Sequence, residues 1–135
     1  MMLLVSKENY LVKKDYINFI DLKDEKFIML SPEYKSRQLG IECCLKSGFK
    51  PNIVFETSQL DIIIELVSLN KGIAVLPECI LVNATKINDK VSVISFQHKP
   101  LKVEMGFIIS KFQNINHIED TLIKYTLNFF AVNKI

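Results

Sequence analysis

Apolar and polar positions divide the chain most clearly between Asn52 and Ile80, NIVFETSQLDIIIELVSLNKGIAVLPECI. Ile53, Val54 and Phe55 are contiguous, β-branched or aromatic, and predict a strand covered on both faces. Thr57 or Ser58 suits the cap of a following helix, with Asp61 three residues after Ser58 in place of the usual capping-box glutamate. Leu60, Ile63, Ile64, Val67 and Leu69 then repeat at helical spacing. Gly72, just after Lys71, predicts a left-handed stop beside a cation at the helix C-terminus. Ile73 to Leu76 reads as a second buried strand, ended by Pro77. The stretch is a strand–helix–strand unit whose first turn directs backbone N–H groups above the sheet.

The same logic places the rest. Leu3 to Val5 predicts a strand, Tyr10 to Phe19 a surface-crossing loop, and Asp21 to Asp24 a helical turn capped by Asp21. Phe27 to Leu30 predicts a strand that enters Ser31-Pro32-Glu33-Tyr34, where Pro32 suits a first helical position. A helix over Tyr34–Ser47 follows, with Leu39, Ile41, Cys43, Cys44 and Leu45 as its broad apolar set, ended at Gly48. After Pro77 come a short helix over Glu78–Thr85, a turn at Asn88-Asp89 and a half-exposed strand over Val91–Phe96. Val103, Met105, Phe107 and Ile109 alternate as a strand does, and Ile115 to Ala131 predicts a helix striped by Ile118, Leu122, Tyr125 and Phe129. Asn116 and Glu119 have the spacing of its cap.

Two strand–helix units therefore run in series, each with a hydroxyl-rich turn at the carboxyl end of its strand: Ser31 in one, Thr57 and Ser58 in the other. Ligands of open α/β sheets sit outside those ends, where the topology switches. Hydroxyls and helix N-termini facing a common point suit an anion, a carboxylate above all. The same three residues also fit plain helix capping.

Composition narrows the function. The 135 residues are 49% hydrophobic and 24% charged, enough for a real core and far from a disordered chain. A net charge of +2, with lysines and arginines scattered along the chain, offers no electrostatic footprint for nucleic acid. No run is long enough for a membrane span, and the N-terminus lacks a signal-peptide pattern, so the expected location is the cytoplasm. Cys43, Cys44 and Cys79 form no CxxC pair, and His98 and His117 stand apart from them. Core-filling thiols are expected rather than disulfides or zinc, and no cofactor is implied.

Taken in order, DLKDEKFIMLSPEY (21–34), KSGFKP (46–51), FETSQLDIIIELVSLNKGIAVLP (55–77) and KVEMGFIISK (102–111) resemble the effector-binding, or substrate-binding, domain of LysR-type transcriptional regulators. LLVSKENYLV (3–12) resembles the strand and loop that precede the hinge of that domain. The resemblance implies an α/β, periplasmic-binding-protein-like fold of two lobes with a small effector in the cleft. Residues 20–92 would form the second lobe, and 1–19 with 93–135 a partial first lobe. The winged helix-turn-helix, its linker helix and the opening of the first lobe have no counterpart in the chain. Ser31, Thr57 and Ser58 fall at turns that line the effector cleft of the family, with Pro32, Glu33 and Tyr34 as neighbours. Implied partners are a small organic effector, an anion such as a carboxylate, and a second protomer through the effector domain; DNA would be met only through the absent domain. Without the rest of the first lobe, exposed apolar surface is expected to lead to dimerisation, aggregation or a mobile first-lobe remnant.

Three other readings compete. An enzyme would need Ser31 with His98, or Cys79 with His117, yet there is no GxSxG elbow and no third residue to orient either histidine. A solute-binding protein of a transporter shares the two-lobe architecture but would need a secretion signal. A thiol redox sensor is suggested by a peroxide-responsive branch of the family, since Cys44 lies near the register of one of its cysteines. Lys35 stands where the reactive partner would be expected.

Overall fold

The computed structural model describes residues 1–82, 89–98, 107–110 and 115–133. The chain forms two compact units, Met1–Val103 and Glu104–Ile135.

Among the described residues, the first unit contains five strands: β1 (Met2–Ser6), β2 (Lys26–Leu30), β3 (Asn52–Thr57), β4 (Ala74–Leu76) and β5 (Val91–Ser95). Its helices are α1 (Lys35–Lys46), α2 (Leu60–Ser68) and α3 (Glu78–Val82). β1 pairs antiparallel with β4 and β5, while β2 and β3 are parallel. A parallel bridge from Phe27 to Ile73 joins the two sheets, with Ile28 N–H donating to the Ile73 carbonyl and Ile73 N–H to the Lys26 carbonyl, each at 2.8 Å. The strands therefore follow the spatial order β3-β2-β4-β1-β5.

Alternation along the strands builds two cores. Phe27 and Met29 of β2 join Leu3, Val5, Ile73, Val75 and Cys44 of α1 on one face. Ile28 and Leu30 join Leu4, Ala74, Leu76 and the α2 residues Ile63, Ile64 and Val67 on the other. The β2-to-β3 connection moves one way across the sheet and the β3-to-β4 connection moves back, so right-handed crossovers carry α1 and α2 to opposite faces.

Both helices stop by the same device. Gly48, at φ 88°, follows α1, and the N–H groups of Gly48 and Phe49 donate to the carbonyls of Leu45 and Cys44 at 3.0 and 3.1 Å. After α2 the left-handed residue is Asn70, at φ 54°, not the expected Gly72. The N–H groups of Asn70 and Lys71 reach Val67 and Leu66 at 2.9 and 3.0 Å, which completes the pattern of a Schellman end. Gly72 is required for a different reason: a Cβ there would lie 2.6 Å from the Lys26 carbonyl oxygen.

Other elements shift from their sequence expectations. β3 is not covered on both faces: Val54 and Phe55 are 46% and 43% exposed. The crossover from β3 back past β2 leaves β3 at the sheet edge, and Val54 is an extra residue between the Phe27–Ile53 and Ile28–Phe55 pairs. Tyr10–Phe19 is not a plain loop, because 3₁₀ turns occupy Tyr10–Lys13 and Phe19–Leu22. Asp21 does not cap the second of these. Asn18 precedes it, and its N–H donates to Asp21 Oδ2 at 2.8 Å, while Lys14 Nζ lies 2.7 Å from Oδ1. Both contacts hold the Asp21 carboxyl below its usual range, the Lys14 hydrogen bond most strongly. Leu45 and Leu69 are about half exposed rather than core. The last part of the expected helix over Glu78–Thr85, and Asn88, lie outside the described residues.

The second unit contains α4 (His117–Asn133), shifted two residues from the expected bounds. Its cap is the expected one: Asn116 Oδ1 accepts from Ile118 and Glu119 N–H, and Glu119 Oε2 accepts from Asn116 N–H, all at 2.9 Å. Phe107 to Ser110 belongs to no strand, and Val103 and Met105 of the expected strand lie outside the described residues. Phe107, Ile109, Leu122 and Ile123 line a groove of about 210 Å³.

Candidate functional site

The turns after β2 and β3 stand side by side because the strands are parallel neighbours with Leu30 opposite Thr57. One step beyond, Ser31 N–H donates to the Thr57 carbonyl at 3.1 Å, so the first residues of the two turns are bonded directly. From there the chain diverges to α1 on one face and α2 on the other. That divergence between adjacent parallel strands is the switch point at which open sheets hold ligands.

Within the first turn, Tyr34 N–H donates to the Ser31 carbonyl at 3.1 Å, closing a four-residue β-turn with Pro32 at its second position. Pro32 is therefore a turn residue and not the first residue of α1, which starts at Lys35. Tyr34 occupies the cap position with no side-chain bond to the helix, and the residue is 37% exposed. In the second turn, Thr57 Oγ1 accepts from Gln59 N–H at 3.1 Å. This local bond replaces the expected cap at Thr57 or Ser58: α2 begins at Leu60, with Gln59 before it and no side-chain cap bond. Ser31 and Thr57 are half-buried, and Pro32 and Ser58 are exposed. All five sequence-predicted residues thus lie on two bonded turns.

The sequence reading missed a pair beside them. Arg37, in the first turn of α1, forms an ion pair with Glu56, the residue before Thr57. Arg37 Nε is 3.2 Å from Glu56 Oε1, and Nη2 contacts the same oxygen. A cation near a helix start and an acid near a strand end carry no sequence signal of their own. Only the parallel register brings them together.

His98 lines a hollow of about 260 Å³ with Ile17, Phe19, Ser47 and Phe96. Cys43, Cys44 and Cys79 are thiols, and burial pushes the Cys44 pKa up to about 12, the reverse of what a redox-active thiolate needs. Among the described residues, no group of three or more histidine, cysteine, aspartate or glutamate side chains could hold a metal ion. No helix among them is long and apolar enough to cross a membrane. A cavity of about 460 Å³ opens at the other end of the sheet, around Tyr10, Glu25, Asn70 and Gly72. The Tyr10 hydroxyl there is pushed up by partial burial, a hydrogen bond to Glu25 and nearby acids.

A sheet with helices on both faces and two bonded turns at its switch point defines an open α/β domain. The LysR substrate binding domain model matches residues 1–129, and the chain belongs to that family. Its fold is the periplasmic-binding-protein-like fold of LysR effector domains. The uncharacterized HTH-type transcriptional regulator YwbI of Bacillus subtilis (strain 168) is 40% identical over 78 residues, which covers 58% of this chain and 26% of that protein. The transcriptional dual regulator GltC of the same organism is 26% identical over 129 residues, covering 95% of this chain and 42% of that one. The chain thus spans less than half the length of either relative. Among solved structures, the Synechocystis PCC6803 CcmR regulatory domain in complex with 2-PG superposes with a TM-score of 0.76 at 16% identity, covering 95% of this chain and 61% of that one. The effector binding domain of QuiR in complex with shikimate gives 0.71 at 19%, covering 95% and 59%.

Proposed function

We propose that the chain is the effector-sensing module of a LysR-type transcriptional regulator, that it acts in the cytoplasm, and that it performs no catalysis. Its ligand is a small organic anion, a carboxylate by preference, held at the turns of Ser31 and Thr57 with Pro32, Tyr34 and Ser58 around them. The observation that carries this reading is the Ser31–Thr57 backbone bond, which sets two helix starts and two hydroxyl side chains at one switch point. The relatives named as transcriptional regulators, and the related domains solved with shikimate and with 2-PG, support it.

In this reading the β1–β5 sheet with its helices is one lobe, since Leu3, Leu4 and Val5 of β1 pack into both of its cores, and α4 belongs to the other. β1 begins and β5 ends at the ligand end of the sheet, where Met2 faces Leu76 and Ser95, and these strands are the crossing segments. The exposed edge of β3, with Val54 and Phe55, supports association with a second protomer. DNA contact belongs to a separate helix-turn-helix domain.

The test is a thermal-shift screen of carboxylates, amino acids and aromatic acids, followed by calorimetric titration of the hit into Ser31→Ala and Thr57→Ala. Each substitution should weaken binding by about tenfold, the worth of one charge-assisted hydrogen bond. Unchanged affinity in both would reject the site. An electrophoretic shift of a defined operator by this chain alone would reject the separation of sensing from DNA binding.

A further inference from the structure

Arg37 and Glu56 form a cross-element ion pair immediately beside the two bonded turns. Arg37 belongs to the first turn of α1, the helix that Ser31-Pro32-Glu33-Tyr34 leads into. Glu56 precedes Thr57 and faces Met29 across the β2–β3 register. Both Arg37 contacts fall on one carboxylate oxygen, Oε1, rather than in the two-pronged geometry that suits a guanidinium and a carboxylate. The side chains are 18% and 38% exposed, so the pair is partly open to water on the Glu56 side. The other cation of this turn, Lys35, is exposed, with Nζ 3.3 Å from Gln38 Oε1. Among the described residues, the Arg37 donor fork is thus only partly engaged, with Nε and Nη2 both on Glu56 Oε1.

We propose that Arg37 sets the charge preference of the ligand site, with Glu56 as the resident counter-ion that an anionic ligand displaces; this rests on the effector-site reading above. In the unliganded chain the pair neutralises a carboxylate that would otherwise repel anions one residue from Thr57. On binding, the guanidinium turns to the ligand and takes a carboxylate or phosphate group in the two-pronged manner. An uncharged ligand of the same shape has nothing with which to displace Glu56. The site therefore discriminates by charge before it discriminates by shape.

The experiment titrates benzoate, succinate and shikimate, each beside its primary amide, into the wild-type chain and into Arg37→Gln, Glu56→Gln and the double variant. Far-ultraviolet circular dichroism first establishes that each variant is folded. For any acid that binds, Glu56→Gln should tighten it at least threefold, since the competitor is gone. Arg37→Gln should weaken it at least tenfold and leave the amide unchanged, and the double variant should stay weak. Recovery of wild-type affinity in the double variant would overturn the proposal, because Arg37 would then only screen Glu56. So would unchanged acid binding in Arg37→Gln while Ser31→Ala and Thr57→Ala weaken it. If no acid binds, or if the Ser31 and Thr57 variants bind unchanged, the site reading itself fails and this proposal falls with it.

Discussion

Replacing Gly72 by alanine tests the junction on which the five-strand order depends. The added Cβ would sit 2.6 Å from the Lys26 carbonyl oxygen and 3.1–3.2 Å from two Ile28 side-chain carbons. The first neighbour is backbone of a central strand, and it accepts the hydrogen bond from Ile73 N–H that helps join β2 to β4. It cannot move aside without loosening that bond. Overpacking of this kind costs about 1–3 kcal/mol, and weakening a buried hydrogen bond adds about 1 kcal/mol. The reduced freedom of the unfolded chain returns about 0.4–1 kcal/mol. The net loss should be about 2 kcal/mol, seen in urea titration as a midpoint lower by about 1 M for a slope near 2 kcal/mol per M. Gly48→Ala is the control. Nothing lies within 4 Å of its Cβ, yet φ is 88°, so the loss is purely conformational, about 1 kcal/mol. If Gly72→Ala were neutral or stabilising, the close approach of β2 and β4 would be wrong. If Gly48→Ala were the costlier variant, the assignment of two different roles to the two glycines would be wrong.

Asn70→Gly should raise stability by up to about 1 kcal/mol in the same titration, because glycine meets the left-handed end of α2 without a Cβ penalty. Cys44 should resist iodoacetamide in the folded chain at pH 8.5, since its thiol stays protonated; denaturation should expose it. The same shift makes stability fall at high pH. The unfolded thiol ionises near 9 while the folded one holds its proton to about 12, so the unfolded state binds fewer protons and the Cys44 contribution is lost across that window. A Cys44→Ala chain should lack this part of the alkaline slope in melts taken from pH 8 to 11. Asn116→Ala removes both side-chain bonds at the start of α4 and should destabilise that helix by about 1 kcal/mol, read as lost helical circular dichroism.

Much of the architecture was legible because burial leaves a period in the sequence. Ile63, Ile64 and Val67 sit in the core as their spacing predicts, and the Asn116–Glu119 cap follows from two residues at the right interval. β3 was misread because apolar content does not reveal how many neighbours a strand has. Ile53-Val54-Phe55 looks like an interior strand, and only the direction of two crossovers makes it an edge. Gly72 was misread for a related reason: a glycine that avoids a carbonyl and one that adopts positive φ are the same letter. Of the candidate site, the hydroxyl turns could be found from local turn chemistry. Arg37 and Glu56, 19 residues apart, could not, since their meeting depends on register alone.

The Ser31–Thr57 bond also fixes a length scale. Two turns joined by a sheet-type hydrogen bond cannot be drawn apart to admit a bulkier ligand without breaking β2 from β3. As one wall of the proposed effector site, the two turns would therefore act as a rigid gauge. Relatives that recognise molecules of different size would have to adjust by changing which side chains stand on the turns, or by moving whatever lies opposite them.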